Sequence, residues 1–325
     1  MNLPKVVTIT LNPAVDQTLY FSRFQVGQVN RVGEVHLDPA GKGINVAKVL
    51  KSLEQNVAVS GFLGRDNAGF FEEYFETQGI ADHFIKVSGA TRVNTKIVDE
   101  ASGEVSEINF PGIHCSPADF QKLEKIIEQL AQDVKLFVLS GSLPGDAPVA
   151  SYRSLTEILK KYGCKVFLDT SGEALAEGLK AQPYAVKPNL EELEQIVGHS
   201  LDQEQDIIKA VEKLVEGGIA KVVVSLGQKG ALLAAQKQLL RVRAPEIKAS
   251  STVGAGDALV AGLVYAELME MSLAEQARWA TAVAAASVAQ PGTQPGKFEE
   301  VTKLLPFIEI QEMRAENENY RIVVR

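Results

Sequence analysis

Short β-rich apolar runs alternate with stretches of helical period along most of the chain, and this alternation restricts the possible folds more than any other feature. Val6 to Thr10, Val57 to Phe62, Leu136 to Ser140, Val166 to Asp169, Tyr184 to Lys187 and Val222 to Leu226 read as buried strands. Between them, Phe120, Leu123, Ile127 and Leu130 share one helical face, as do Leu155, Ile158, Leu159 and Tyr162, and then Ile208, Val211 and Val215. Parallel strands need crossover connections, so the pattern predicts an α/β fold: a central, mostly parallel sheet flanked by helices on both faces. Two long Ala-rich helices, at about Ala255 to Met269 and Leu273 to Ala289, are expected to end the C-terminal half.

Two regions break the alternation. Gln17 to Leu37 and Arg92 to Phe110 hold strand-like patches separated by Gly27, Gly33, Asp99, Ser102 and Gly103, without any helix-period segment. Ser102 and Gly103 fall where a hairpin tip would be. We therefore expect a small β-sheet built from two insertions, residues 17–37 and 91–111, acting as a lid over the carboxyl edge of an α/β core formed by 1–16, 38–90 and 112–313. The tail, 314–325, is polar and then β-like, and receives no place. A length of 325 residues suits one large α/β domain with an insertion as well as two modest domains.

Charge and composition narrow the function. The net charge is −8 and basic runs are absent, which makes nucleic acid a poor partner. No stretch approaches the roughly 20 apolar residues of a membrane span, and Met1 to Pro4 lacks the features of a secretory signal, so a cytoplasmic, membrane-free protein is expected. Cys115 and Cys164 are far apart, and His36, His83, His114 and His199 form no spaced pair, so neither a disulfide nor zinc chemistry has support. A small-molecule protein remains.

Ser250 to Leu259 is a small-residue turn opening into an apolar helix. Gly254 and Gly256 let the backbone approach a ligand closely, and the amides of Gly254, Ala255 and Gly256 stand where a helix start offers an anion site. Asp257 would repel a bound phosphate there unless it has a chemical task, and general base is the task that fits: it accepts the proton of an attacking hydroxyl. Taken alone, the same residues also describe a tight turn and an ordinary helix-start charge. A P-loop needs Gly-Lys-Ser/Thr, which Ala255-Gly256-Asp257 does not supply, and the dinucleotide fingerprint fails because Leu259 stands where Gly or Ala is required. A second turn, Ala40 to Ala47, again opens a helix. Its Gly41, Lys42 and Asn45 suit a polyhydroxylated, phosphorylated ligand, and Asp16, leaving the first strand, can accept sugar hydroxyls.

These paired turns resemble the two signatures of the ribokinase-like (PfkB) carbohydrate kinases, over about residues 5 to 305. Val186 to Leu193 looks like the family's Asn-x-x-Glu metal motif and Ser225 to Gly230 like its nucleotide loop. The resemblance implies ATP and magnesium as cofactors, with Glu192 and Asn189 organising the metal through water. Lys187, Asn189, Ser225, Gly227, Gly230, Ser250 and Val253 would line the nucleotide side, and Asp16, Gly41, Lys42, Asn45, Arg92, Asn94, Arg31 and Ser142 would hold the sugar phosphate. Thr10 to Asp16, Thr91 to Lys96, Asn109 to Gly112, Ser140 to Pro144 and Ala280 to Ala284 resemble the branch acting on phosphorylated ketohexoses, implying D-fructose 1-phosphate as acceptor. Tagatose 6-phosphate and fructose 6-phosphate remain open, as do a catalytically silent sugar-phosphate sensor and, less favoured, a nicotinamide-dependent oxidoreductase. The family's habit of pairing through lid sheets implies a homodimer.

Overall fold

A computed structural model describes residues 3–236, 238–247, 249–316 and 319–323, with side chains described up to Met313. The first half runs β1 (Val6–Thr10), β2 (Ala14–Phe21), β3 (Glu34–Ala40), α1 (Lys42–Ser52), β4 (Val57–Gly64), α2 (Ala68–Gln78), β5 (Ala81–Val87), β6 (Val93–Asp99), β7 (Glu104–Ile108), α3 (Pro117–Asp133), β8 (Leu136–Ser140) and α4 (Ser151–Lys161). The second half runs β9 (Lys165–Asp169), α5 (Gly172–Leu179), β10 (Ala185–Val186), α6 (Leu190–Val197), α7 (Glu204–Glu216), β11 (Lys221–Ser225), β12 (Ala231–Ala235) and β13 (Gln238–Arg243). It ends with α8 (Ala255–Leu268), α9 (Leu273–Val288), α10 (Phe298–Leu304), β14 (Glu309–Glu316) and β15 (Asn319–Val323).

Eleven strands form one sheet in the order β15-β14-β13-β12-β11-β10-β9-β8-β1-β4-β5. From β5 to β11 every neighbour is parallel, and from β11 to β15 every neighbour is antiparallel. The expected parallel core is present, with an antiparallel extension that the residue pattern does not announce. The tail that had no place supplies much of its far edge, with residues 317, 318, 324 and 325 outside the described ones.

Alternation along β1 shows why the sheet needs helices on both faces. Val6 points into one apolar cluster with α1, α2, α8, α9 and α10, whereas Val7 and Ile9 point into another with α3, α4, α5, α6 and α7. Both faces are buried, as parallel sheets require.

A separate four-stranded sheet has the order β3-β2-β6-β7, from the two regions that break the alternation. Its strands begin at Ala14 and reach Ala40, so they root directly in the core rather than starting at residue 17. Residues 100–103 turn the β6–β7 hairpin, with Gly103 at φ 73°, where the tip was expected.

Helix α8 is held at both ends. Glu267, near its C-terminus, accepts from Lys165 (2.5 Å), Tyr184 (2.8 Å), Lys221 and Gln276 (3.2 Å). Burial works to raise the Glu267 pKa, but these donors overcome it and hold the carboxyl at about 2. Lys165 and Lys221 open β9 and β11, so the clamp ties α8 to the amino ends of the strands whose carboxyl ends carry the candidate site.

Candidate active site

The candidate site lies at the carboxyl ends of β1, β8, β9, β10 and β11, beside the point where chain order reverses between β8 and β1, the position where open α/β sheets place ligands. Helices α1 and α8 begin there, each behind a glycine turn. Gly254, the N-cap of α8, has φ 78°, a conformation other residues resist. Gly43 is needed for another reason: a Cβ there would fall 2.4 Å from Thr10 Oγ1 and 2.9 Å from the Ile9 carbonyl oxygen. Any side chain would lift α1 away from β1.

The two turns, 212 residues apart, meet. Asn45 Nδ2 donates to Asp257 Oδ2 at 2.8 Å, and both side chains are buried. Burial chiefly, and then the nearby Asp169 carboxylate, push the Asp257 pKa up to about 6, against the pull of Lys42, Asn45 and Lys187. A carboxylate so tuned is neutralised only below about pH 6 and keeps real basicity above it. The Ala255 amide turns back to the Thr252 carbonyl at 3.3 Å, so of the three expected anion-hole amides Gly254 and Gly256 remain without an acceptor among the described residues. Lys187 Nζ lies 3.4 Å from where a Cβ of Gly256 would stand, which brings a cation to that cradle.

Asp169, which the sequence reading passed over, organises the cations. It ends β9, is 1% exposed, and its Oδ1 receives both Lys42 Nζ and Lys187 Nζ at 3.3 Å. Its Oδ2 is buried without a partner among the described residues. Burial works to raise its pKa, but the two lysines outweigh that and hold it below the usual range. Lys42 is shifted upward: burial opposes its charge, and Asp169, Asp257 and Glu192 more than compensate. The rule that singled out Asp16, a carboxylate at the carboxyl end of a strand, would also have found Asp169.

Other residues divide by what they touch. Asp16 pairs with Lys96 at 2.8 Å. Ser142 Oγ accepts from Asn12 Nδ2 at 3.2 Å, and Asn94 Oδ1 accepts from the Phe110 amide at 3.1 Å. Arg92, expected to hold the sugar phosphate, is already partly engaged: Nε donates to the Pro13 carbonyl, Nη1 to that of Phe110 and Nη2 to that of Asn12. It staples the root of the small sheet, leaving two of its five N–H groups for a ligand. Arg31 is exposed between β2 and β3 and joins none of these contacts. Gly41, at φ 129°, is the N-cap of α1.

A cavity of about 700 Å³ opens beside α8, with Ser225, Gly227, Gly230, Thr252, Ala255 and Gly256 in its wall. Ser250 and Val253 stay outside that wall, donating instead to the Val288 carbonyl (2.9 Å) and Ser251 Oγ (3.2 Å). Asn189 and Glu192 form a reciprocal cap on α6: Asn189 Oδ1 accepts from the Glu192 amide at 2.8 Å and Glu192 Oε2 from the Asn189 amide at 2.9 Å. Their helix-start role is thus real, and Glu192 Oε1 remains free of it. Among the described residues no three His, Cys, Asp or Glu side chains gather as a metal cluster.

A pH-dependent rate follows from this geometry. The acid limb of kcat/KM is expected near pH 6, the rate falling below it as Asp257 takes up a proton. Substrate phosphates titrate near pH 6 as well. Asn45→Ala separates the two: losing a bond that lowers the Asp257 pKa moves the limb upward, whereas a limb set by the substrate would stay in place.

A buried carboxyl with a pKa raised to about 6, a helix-start cradle, two lysines and an adjoining cavity together suit phosphoryl transfer on an α/β scaffold. Residues 9–300 match the family described as pfkB family carbohydrate kinase, and the chain belongs to that family. It is 43% identical over 306 residues to 1-phosphofructokinase of Vibrio cholerae, covering 94% of this chain and 96% of that one. It is 44% identical over 287 residues to 1-phosphofructokinase of Escherichia coli K12, covering 88% and 91%. Phosphofructokinase-2 from E. coli, in complex with substrates and products, superimposes with a TM-score of 0.89 at 28% identity, covering 93% of this chain and 99% of that one.

Proposed function

We infer that this protein transfers the γ-phosphoryl group of ATP to the C6 hydroxyl of D-fructose 1-phosphate, giving D-fructose 1,6-bisphosphate and ADP. Kinship with curated 1-phosphofructokinases over most of both chains supports the acceptor. The buried Asn45–Asp257 contact carries the mechanism, since it joins the sugar-side turn to the base-bearing helix. Asp257 takes the hydroxyl proton as the C6 oxygen bonds to phosphorus and the bond from phosphorus to the ADP oxygen breaks. The Gly254 and Gly256 amides, with Lys187, stabilise charge on the transferring group, and Lys42 bridges toward the sugar phosphate.

The donor set fits a magnesium ion held mainly by phosphate and water. Asp169 Oδ2 and Glu192 Oε1 are spare hard oxygens, too few for an all-protein cage. Such an ion would neutralise charge between the ATP phosphates. Asp16 and Asn94 orient sugar hydroxyls, and Lys42, with the two spare N–H groups of Arg92, draws in the phosphate despite the net charge of −8, because acidic groups beyond about 10 Å are largely screened. The small sheet serves as a lid over this cleft, excluding water that would otherwise consume ATP. Val35, Leu37 and Ile108, which the strand register puts on one side of that sheet, stay 46–50% exposed, and we take that side as the face through which two copies pair.

Two measurements check the reading. An assay of ADP release with fructose 1-phosphate, tagatose 6-phosphate and fructose 6-phosphate is expected to rank fructose 1-phosphate highest in kcat/KM. A higher rank for either other sugar would move the acceptor, and sugar-phosphate binding without ADP release would leave a sensor. Arg92→Ala is expected to raise KM for the sugar phosphate well beyond that for ATP, because both its spare donors and its staple lie on the sugar side. Equal changes in the two constants would remove the small sheet from substrate capture.

A further inference from the structure

Between β8 and α4 the chain turns at Gly141, which has φ 104°, a conformation that glycine alone adopts freely. Both polar groups of Gly141 are taken up inside the protein. Its amide donates to the Asp169 carbonyl at 2.9 Å, and its carbonyl receives two hydroxyls, Thr170 Oγ1 at 2.8 Å and Tyr152 Oη at 3.0 Å. Thr170 and Tyr152 are 2% and 0% exposed. Burial first, and then the Asp169 carboxylate, push the Tyr152 pKa well up, so its hydroxyl stays a donor at every working pH.

A trans peptide unit carries its C=O and N–H in opposite directions. With the Gly141 carbonyl drawn into the core, the N–H of the same unit, which belongs to Ser142, is turned outward. Ser142 is exposed, and its amide has no acceptor among the described residues. Gly141 lies beside Lys42, since a Cβ on it would stand 3.8 Å from Lys42 Cβ, so the outward N–H opens onto the cleft at the start of α1. Asn12 holds the next two residues, donating to Ser142 Oγ (3.2 Å) and to the Leu143 carbonyl (3.1 Å). One buried hydroxyl would satisfy the Gly141 carbonyl. Two fix the direction of a peptide plane that glycine would otherwise let swing.

We propose that Tyr152 and Thr170 are positioning residues: together they pin the Gly141–Ser142 peptide so that the Ser142 N–H donates to the phosphate of the acceptor sugar. This rests on the kinase reading above and extends it to two residues buried beneath the site. Neither touches a substrate; both act through one carbonyl.

Initial rates test it in Tyr152→Phe, Thr170→Val, Thr170→Ser and the Tyr152→Phe/Thr170→Val double variant, with ATP and whichever of the three sugar phosphates the wild type turns over best. Tyr152→Phe and Thr170→Val are each expected to raise KM for the sugar phosphate about three- to tenfold, the effect of one hydrogen bond. Thr170→Ser keeps the hydroxyl and should raise it least. The double variant releases the carbonyl and should raise it about 10- to 100-fold, the range for a lost hydrogen bond to a charged group, with kcat and KM for ATP within about twofold of wild type. A merely structural pair of hydroxyls would lower the melting temperature without separating the two KM values. If the double variant does not fold, the single variants decide by the same separation. A sugar-phosphate KM that rises by less than about threefold, or a rise matched by that for ATP, overturns the proposal and spares the kinase reading. Absence of wild-type turnover with any of the three sugar phosphates sinks both.

Discussion

Asp257→Asn is expected to lower kcat by about 10²- to 10⁴-fold, the usual contribution of a positioned general base, while nucleotide binding changes little. The same substitution should stabilise the fold at neutral pH. Asp257 titrates at about 6 when folded, above its ordinary value of 3.8, so its burial is tolerated fully below pH 4 and becomes unfavourable as pH rises through 6. A shift of that size is worth about 3 kcal/mol, and the stability of Asp257→Asn relative to wild type should grow by that order between pH 4 and pH 8. Denaturant melts of both proteins at the two pH values measure it. A variant that is inactive but gains nothing at pH 8 would mean that the carboxylate is better solvated than its burial implies.

Asp169→Asn should act in the opposite direction on stability. It leaves Lys187, nearly enclosed, and Lys42 without their shared carboxylate, and breaking a buried pair from one side costs about 3–5 kcal/mol. The Asp169 pKa is depressed in the fold, so its contribution is present at neutral pH and disappears only as pH falls through the folded value. The loss is therefore largest at neutral pH. A second readout isolates the coupling. Asp169 raises the Asp257 pKa, so its removal should draw the acid limb of kcat/KM downward, opposite to Asn45→Ala. A limb that stays at pH 6 in both variants would mean that the base does not feel these neighbours.

The two predictions expose a division of labour. Burial holds the Asp257 carboxylate in a form unfavourable to folding, and Lys42 and Lys187 offset part of that by placing positive charge near it, while Asp169 acts the other way. The Glu267 clamp at the other end of α8 serves the same helix from a distance.

Strands buried on both faces were legible because they are short unbroken apolar runs, and β1 and β8 have the bounds read from sequence alone. Strand β5 was not legible: it is an edge carrying Asp82, His83 and Lys86, so only part of it is buried and its pattern resembles a loop. Nor were β12 and β13, whose Ala-rich and mixed residues carry no strong alternation until the sheet supplies neighbours. Among site residues, the glycine turns were visible because backbone geometry demands glycine. That Arg92 also anchors the small sheet was not legible, because a sequence shows a charge without showing that three carbonyls take up part of it.

Local order therefore fixed the periodicities, the helix starts and the residue types able to move a proton or cradle an anion, since each depends on neighbours within a few positions. Only the folded chain could bring Asn45 against Asp257, seat two lysines on Asp169 and lift a carboxyl pKa to about 6. Those properties depend on burial and on groups up to 212 residues apart in sequence, which no short window contains.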